Sequence, residues 1–187
     1  MPRTKKYTVQ RATGPVIIDG TLNEPDWQAA KAIKLVETVT GDAPRQSTEA
    51  RALWDDEFLY VAFHCVDTHI YSQYTERDDP LSGQEVVEVF LDDNLNRITY
   101  LEYEVNPRNA LYDLYVVNRT LKRDEIRFMA EWDSRSIRHA VTVDGDPASR
   151  ESIDRSWTAE MALPWDDFAT APHFPPHEGD KFRVNLY

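Results

Sequence analysis

The acidic and amide side chains of one hydrophobic stretch have the types and the spacing that could bind a polar ligand. Glu88 is the one charged residue in the run Val86–Leu91, whose other members are typical of a β-strand. Glu104 and Asn106 are two apart in the alternating run Tyr100–Asn106, so they share one face of a strand. Because acidic groups in strands are costly to bury unless they are paired or solvated, we expect these three side chains to line one open, polar face.

Aromatic side chains and an arginine lie near this face in the sequence. Tyr100 belongs to the same alternating strand, and Tyr112 begins the next one. Arg77 lies in the polar loop of residues 67–83, and loops of that length in a compact domain often carry function. Sugars stack their apolar C–H faces on aromatic rings, and their hydroxyl groups bond to carboxylates, amides and guanidinium groups. The pattern is compatible with a sugar site walled by this loop, and also with an ordinary solvated outer face of a sheet.

Two other kinds of chemistry fit this sequence less well. Glu88 and Glu104 could act as the paired carboxylates of a glycoside-hydrolysing enzyme, which need a separation of about 5–9 Å, but chance pairs are expected among 33 acidic residues. Asp92, Asn94 and Asn96 have the spacing of an EF-hand start, without the glycine and the closing glutamate of that loop. No catalytic residue is assigned, the metal ligands stay unknown, and a looser structural calcium site stays open.

The composition indicates a globular protein and narrows its partners. The 187 residues, 41% of them hydrophobic, are enough for a sizeable core, and we expect a single domain over residues 1–187. A net charge of −12 at pH 7 argues against nucleic acid and anionic membranes as partners, because both require a basic surface. No apolar run is long enough to span a membrane, and the first ten residues lack the apolar segment of a secretory signal.

Short alternating segments separated by turn residues predict an all-β fold, an antiparallel β-sandwich of immunoglobulin-like type with short helical turns and less than about 15% helix. Thr48–Trp54 and Phe58–Val66 form a predicted hairpin. An extended lead-in over residues 1–15 precedes a predicted short strand at Val16–Ile18, and Asn23 is predicted to cap a short helix. The other main predicted strands are Val86–Leu91, Tyr100–Asn106, Tyr112–Val117, Ser136–Val143, Ser156–Leu163 and Lys181–Tyr187.

Six segments of the chain, taken in order, resemble carbohydrate-binding modules of family 9, in the family 9-like branch. They are IDGTLNEPDWQAA, ALWDDEFLYVAF with Asp67, EVVEVFLDD, YLEYEVNP, WTAEMALPWDDF and GDKFRVNLY. The resemblance implies a jelly-roll-like β-sandwich that binds a mono- or oligosaccharide or a polysaccharide end without catalysis. Such modules are often attached to xylan- or cellulose-degrading enzymes, and structural calcium occurs in characterised members. The family's ligand-contacting glutamate falls on Glu88, and further polar contacts fall on Tyr103–Asn106.

The chain departs from this family at the ligand site. Characterised sugar-binding members hold the sugar between two tryptophans, one of which falls where this chain has Leu81-Ser82-Gly83. The other follows the final strand, so we expect a module truncated after Tyr187, with an unpaired sheet edge. An arginine that helps to bind sugar in such members is matched by Glu104. A structural or interaction module without a sugar ligand is therefore an alternative. The family favours an extracellular location, whereas the missing signal segment leaves a cytoplasmic one open.

Overall fold

The computed structural model describes residues 5–187, which form eleven β-strands in two sheets. The strands of the first sheet are β1 (Gln10–Arg11), β2 (Ile33–Lys34), β3 (Thr48–Trp54), β4 (Phe58–Val66), β9 (Arg138–Asp144) and β10 (Ser156–Pro164). Those of the second sheet are β5 (Val87–Asp92), β6 (Thr99–Val105), β7 (Leu111–Val117), β8 (Arg127–Met129) and β11 (Arg183–Leu186). Most of these strands begin and end within two residues of the predicted ones.

The strand order confirms the predicted all-β sandwich. The first sheet runs β1-β3-β4-β10-β9, with β2 also pairing with β3, and the second runs β11-β5-β6-β7-β8. The pairs are antiparallel except for β1 with β3, which is parallel. The predicted lead-in falls partly on residues 1–4, which lie outside the described part of the chain. The helices are α1 (Pro25–Ala29) and three short 3₁₀ helices at Leu81–Gly83, Arg123–Glu125 and Trp165–Asp167.

None of these helices could cross a lipid bilayer, since the longest one between residues 5 and 187 has five residues.

The main core lies between the two sheets and is built by alternate residues of their strands. Leu101, Tyr103 and Val105 of β6 point inward and belong to one buried cluster with Phe63 of β4 and Met161 of β10. Because successive side chains of a strand point to opposite faces, the residues between them on β6 lie on the outer face of the second sheet. The alternation predicted for this strand is therefore confirmed.

A second buried cluster packs α1 against the outer face of the first sheet. Trp27 of α1 is fully buried in this cluster together with Tyr60 of β4. The indole N–H of Trp27 donates to Oε1 of Glu160 at 2.9 Å. Oε2 of the same carboxylate accepts the backbone N–H groups of Asp19 at 3.1 Å and Gly20 at 2.7 Å. Glu160 thus fastens the segment before α1 to the sheet.

Two predictions near the N-terminus were wrong. Val16–Ile18 forms no strand, although its first and last side chains pack against the α1 cluster. The N–H of Ile17 bonds to the Glu24 carboxylate at 3.1 Å instead of to a neighbouring strand. The N-cap residue of α1 is Glu24, and the Asn23 amide donates to the Thr21 hydroxyl at 2.8 Å. In both places a different local hydrogen bond that involves a side chain replaced the predicted interaction.

Candidate functional site

Three glutamates meet on the outer face of the second sheet. Glu88 on β5 lies directly opposite Glu104 on β6, and Glu102 lies two residues before Glu104 on the same face. Directly opposite residues in an antiparallel pair have Cβ atoms about 4.5–5.5 Å apart. The prediction that Glu88 and Glu104 share a face is therefore confirmed. We call these three residues the glutamate cluster.

Aromatic rings flank the glutamate cluster on the same face. Tyr112 on β7 lies opposite Glu104. Phe90 on β5 lies between Tyr100 and Tyr187, with ring-centroid distances of 6.2 Å and 5.5 Å. Phe90, Tyr100 and Tyr187 form an aromatic strip beside the carboxylates, and Tyr112 lies on the other side of Glu104. The Phe90, Tyr100 and Tyr112 side chains are half-buried. Carboxylates next to aromatic faces can bond to hydroxyl groups while the rings cover apolar C–H surface.

Glu104 is the most buried member of the glutamate cluster, with 2% of its surface exposed. The 3₁₀ helix Leu81–Gly83 packs against β6 beside it. Its Oε2 atom has no hydrogen-bond donor among residues 5–187. The expectation of an open face is thus wrong at Glu104, because neighbouring segments cover the sheet there. Glu88 is half-buried and is the more accessible carboxylate of this directly opposed pair.

The pKa values of the glutamate cluster are raised because its carboxylates are buried together. Burial, then the charge of Glu88 and the contact with Glu102, raises the pKa of Glu104 to about 8. Burial likewise raises the pKa of Glu102 to about 7, and that of Glu88 in the same direction. The ion pairs formed within residues 5–187 include none of the three glutamates. The cluster therefore tends to hold protons near neutral pH and lacks an internal cation.

Asn106, the third residue predicted for the open face, is fully buried at the end of β6. Its Nδ2 donates to the Ser72 hydroxyl and to the Tyr74 carbonyl, both at 2.9 Å. Its Oδ1 accepts two backbone N–H groups of the β6–β7 turn, at 3.0 Å and 2.9 Å. All four hydrogen-bonding positions of this amide are in use, so the expectation that Asn106 lines an open face is wrong. Its role is to attach the loop of residues 67–83 to the second sheet.

Arg77, also predicted to contact a ligand, is 38% exposed at its side chain, but its guanidinium group pairs with acidic side chains of the protein. Its Nη2 donates to both carboxylate oxygens of Asp113 on β7, at 2.6 Å and 2.9 Å. Its Nε lies 3.3 Å from Asp133 and 4.0 Å from Asp78. Asp113 is fully buried, accepts the Ser134 N–H at 2.7 Å, and has its pKa raised to about 6 by that burial. The structure therefore favours a fastening role for Arg77.

The acidic side chains around Arg77 and at the end of β5 do not favour a structural calcium ion. Asp78, Asp113 and Asp133 form the one set of three acidic or histidine side chains, among residues 5–187, whose ligand atoms lie within 4.8 Å of one another. The Arg77 guanidinium already supplies the positive charge there. At the end of β5, the Asp92 carboxylate accepts two backbone N–H groups and pairs with an arginine. The oxygens considered for a looser calcium site thus have partners within the protein.

Glu102 and Tyr187 also belong to this surface, although neither is among the predicted ligand-binding residues. The alternation in β6 already places Glu102 on the same face as Glu104. Tyr187 is brought there by β11, which pairs with β5. The N–H of Tyr187 donates to the Glu88 carbonyl at 3.0 Å, and the Glu88 N–H donates to the Tyr187 carbonyl at 2.9 Å. No local signal in the sequence indicates that long-range pairing.

A comparison with models of protein families identifies the family of this chain. The model described as "Carbohydrate family 9 binding domain-like" matches residues 18–176. The chain belongs to this family.

Relatives of this family 9 domain support the assignment. An "Extracellular protein" of Arthroderma benhamiae is 26% identical over 165 residues, which cover 86% of this chain and 70% of that protein. "Exoglucanase XynX" of Acetivibrio thermocellus is 29% identical over 152 residues, which cover 81% of this chain but 12% of the enzyme. The solved structure of a family 9 carbohydrate-binding module of Caldicellulosiruptor kristjanssonii in complex with glucose superposes with a TM-score of 0.62 at 18% identity, covering 95% of this chain and 74% of that one. The last comparison supports the β-sandwich fold.

The raised pKa values predict how the stability of this family 9 domain depends on pH. Between about pH 5 and pH 8, folded Glu104 holds a proton that the unfolded chain has lost, so the free energy of unfolding falls as pH rises. Glu88, Glu102 and Tyr112 face this carboxyl group, and none of them supplies a positive charge. Replacing Glu104 with glutamine should therefore raise the free energy of unfolding at pH 8 relative to pH 5 by at least about 1 kcal/mol, roughly one pKa unit.

Urea denaturation of both proteins at several pH values would measure this difference. The exposed Glu151→Gln variant is the matched control and should keep the wild-type slope. Parallel stability curves for the wild type and Glu104→Gln would show that Glu104 ionises normally in the folded protein.

Proposed function

We propose that this domain binds carbohydrate without catalysing a reaction, through the glutamate cluster and the aromatic strip. The observation that carries the proposal is the directly opposed pair of half-buried Glu88 and buried Glu104, which lies beside aromatic rings and has no positive partner among residues 5–187. Carboxylates in such a position gain from ligands that bring several hydrogen-bond donors. The membership of the family and the glucose complex of the structural relative point to the same class of ligand.

The groups of the site have distinct roles in this proposal. Glu88 is the accessible carboxylate and accepts hydroxyl groups of the sugar. Glu104 lies opposite Glu88 beneath the covering segment, where its carboxyl group sets the charge around Glu88. The Tyr100, Tyr112 and Phe90 rings cover the apolar face of the sugar. The partner is a mono- or oligosaccharide or the end of a polysaccharide.

The arrangement of the two glutamates favours binding over glycoside hydrolysis. A hydrolase needs two carboxyl groups that flank the scissile bond, with one of them protonating the leaving oxygen. Glu88 and Glu104 lie side by side on adjacent strands and point away from the same sheet face. The arrangement offers two acceptors on one side of a ligand, which suits a binding surface.

The affinity should be weak, because the aromatic clamp of characterised family members has no counterpart at residues 81–83. Leu81 is fully buried and offers no platform to a ligand. Without that clamp we expect a dissociation constant on the order of millimolar or somewhat tighter.

Replacing Glu88 with alanine should weaken sugar binding by about 1–3 kcal/mol, because a sugar hydroxyl loses a charged acceptor. That loss corresponds to a roughly 5- to 150-fold larger dissociation constant. NMR or calorimetric titration with glucose, cello-oligosaccharides and xylo-oligosaccharides would measure it, with Glu151→Ala as an exposed control. Equal affinities of the wild type and Glu88→Ala would exclude this face.

Two further results would replace the proposal. Hydrolysis of a chromogenic glycoside that is lost in Glu88→Gln would establish the enzyme alternative. Titrations without response for every sugar, together with capture of a protein partner, would establish an interaction module.

A further inference from the structure

We propose that the preferred saccharide at the glutamate cluster carries positive charge, as the free amino group of a glucosamine unit does. This inference rests on the proposed function and narrows its class of ligand. A neutral sugar supplies hydroxyl donors, whereas an amino sugar supplies an ammonium group together with hydroxyl groups.

The first observation is the charge of the surface. Glu88, Glu102 and Glu104 occupy directly opposed and alternate positions of adjacent strands, so three acidic side chains share one small area. Arg77 and Arg183 pair with other carboxylates, Arg77 with Asp113 and Arg183 with Asp92. The chain as a whole carries a net charge of −12, which adds to the negative potential. A ligand that brings positive charge therefore relieves repulsion that a neutral ligand would leave in place.

The second observation is the Oε2 atom of Glu104. The side chain is 2% exposed, and this oxygen has no donor among residues 5–187. Burial and the charge of the neighbouring Glu88 raise the pKa values of Glu102 and Glu104, so this pair retains a proton near neutral pH. An ammonium group can replace that proton, since it offers three N–H donors and a full charge to carboxylates that are then ionised.

The spacing of the cluster argues against a bare metal ion as the cation. Within residues 5–187, the ligand atoms of Glu88, Glu102 and Glu104 do not form a set with all separations under 4.8 Å. One ion with oxygen ligands at about 2.3–2.6 Å would need a tighter arrangement. A sugar ring can instead place its ammonium group at one carboxylate and its hydroxyl groups at the others. The aromatic strip beside the cluster is suited to the ring itself.

The test compares three ligands of equal length: a glucosamine trimer, an N-acetylglucosamine trimer and cellotriose. Calorimetric titration of the full chain should show the glucosamine trimer binding at least about tenfold more tightly than either neutral trimer. The preference should shrink when NaCl is raised from about 0.05 M to about 0.5 M, because salt screens the attraction between charges.

Glu88→Gln and Glu104→Gln should each reduce the preference for the glucosamine trimer, while the exposed Glu131→Gln control should retain it. Thermal melts confirm that each variant is folded, and the half-buried Glu88 provides the test if Glu104→Gln is not.

The outcomes separate this inference from the proposed function. Equal or tighter binding of cellotriose would overturn the charge inference and leave carbohydrate binding intact. No binding of any trimer would overturn both. Equal affinity for trilysine would show attraction by net charge alone, and loss of binding in EDTA would show that a metal ion mediates it; either result overturns the inference.

Discussion

Replacing Glu160 with leucine should lower the free energy of unfolding by about 3–5 kcal/mol, because three N–H groups, two of them buried, lose their acceptor. The carboxylate is fully buried and accepts the Trp27 indole and the backbone N–H groups of Asp19 and Gly20. Leucine fills a similar volume but offers no lone pair to these donors. The segment before α1 should then detach from the outer face of the first sheet, so the near-ultraviolet signal of Trp27 should change as well.

Urea denaturation at pH 6 would measure the effect, with the exposed Glu151→Leu as the control. The control should change the free energy of unfolding by less than about 0.5 kcal/mol. Glu160→Gln should be intermediate, since its amide oxygen can still accept one donor while its NH₂ group faces another. A loss below about 1 kcal/mol in Glu160→Leu would show that the anchored segment contributes little to folding.

Arg77→Ala should cost a similar amount, about 3–5 kcal/mol, because it leaves the buried Asp113 carboxylate without its bidentate partner. The raised pKa of Asp113, about 6 even beside the guanidinium, shows how strongly burial opposes its charge. The cost should therefore be larger at pH 8 than at pH 5, where the carboxyl group is protonated and needs no cation.

A double-mutant cycle isolates this ion pair. Asp113→Leu on top of Arg77→Ala should recover part of the loss, since no buried charge then lacks a partner. Arg119→Ala, an exposed arginine outside the ion pairs described above, is the matched control and should have little effect. Strict additivity of the two substitutions would contradict the assignment of Arg77 to this pair.

The strands could be predicted from the sequence where local signals agree with each other. Thr48–Trp54 and Phe58–Val66 have the predicted bounds because β-forming residues surround a short acidic turn. The alternation in β6 also predicted which side chains face the core. The positions of Glu88 and Glu104 in their strands also predicted that these two side chains share one face. This shared face is the part of the site that could be predicted from the sequence.

The covering of that face could not be predicted, because it depends on segments distant in the chain. Parity assigns Glu104 and Asn106 to a face but does not reveal that the 67–83 loop packs over it. The engagement of Arg77 with Asp113 joins residues 36 positions apart. The placement of Tyr187 depends on the pairing of β11 with β5. The glutamates of β5 and β6 are therefore partly or fully buried together, although the sequence predicted a solvated surface.

The attachments of the 67–83 loop bear on the entropy of binding. Arg77 joins the loop to Asp113, Asn106 holds its Ser72 and Tyr74, and a backbone bond of 2.9 Å connects the Asp78 N–H to the Leu111 carbonyl. A loop secured at three points is pre-organised, so an incoming ligand orders little backbone. The domain therefore needs fewer contacts to reach a given affinity than a protein whose site is closed by a mobile lid. Its selectivity depends on side chains that are already in position.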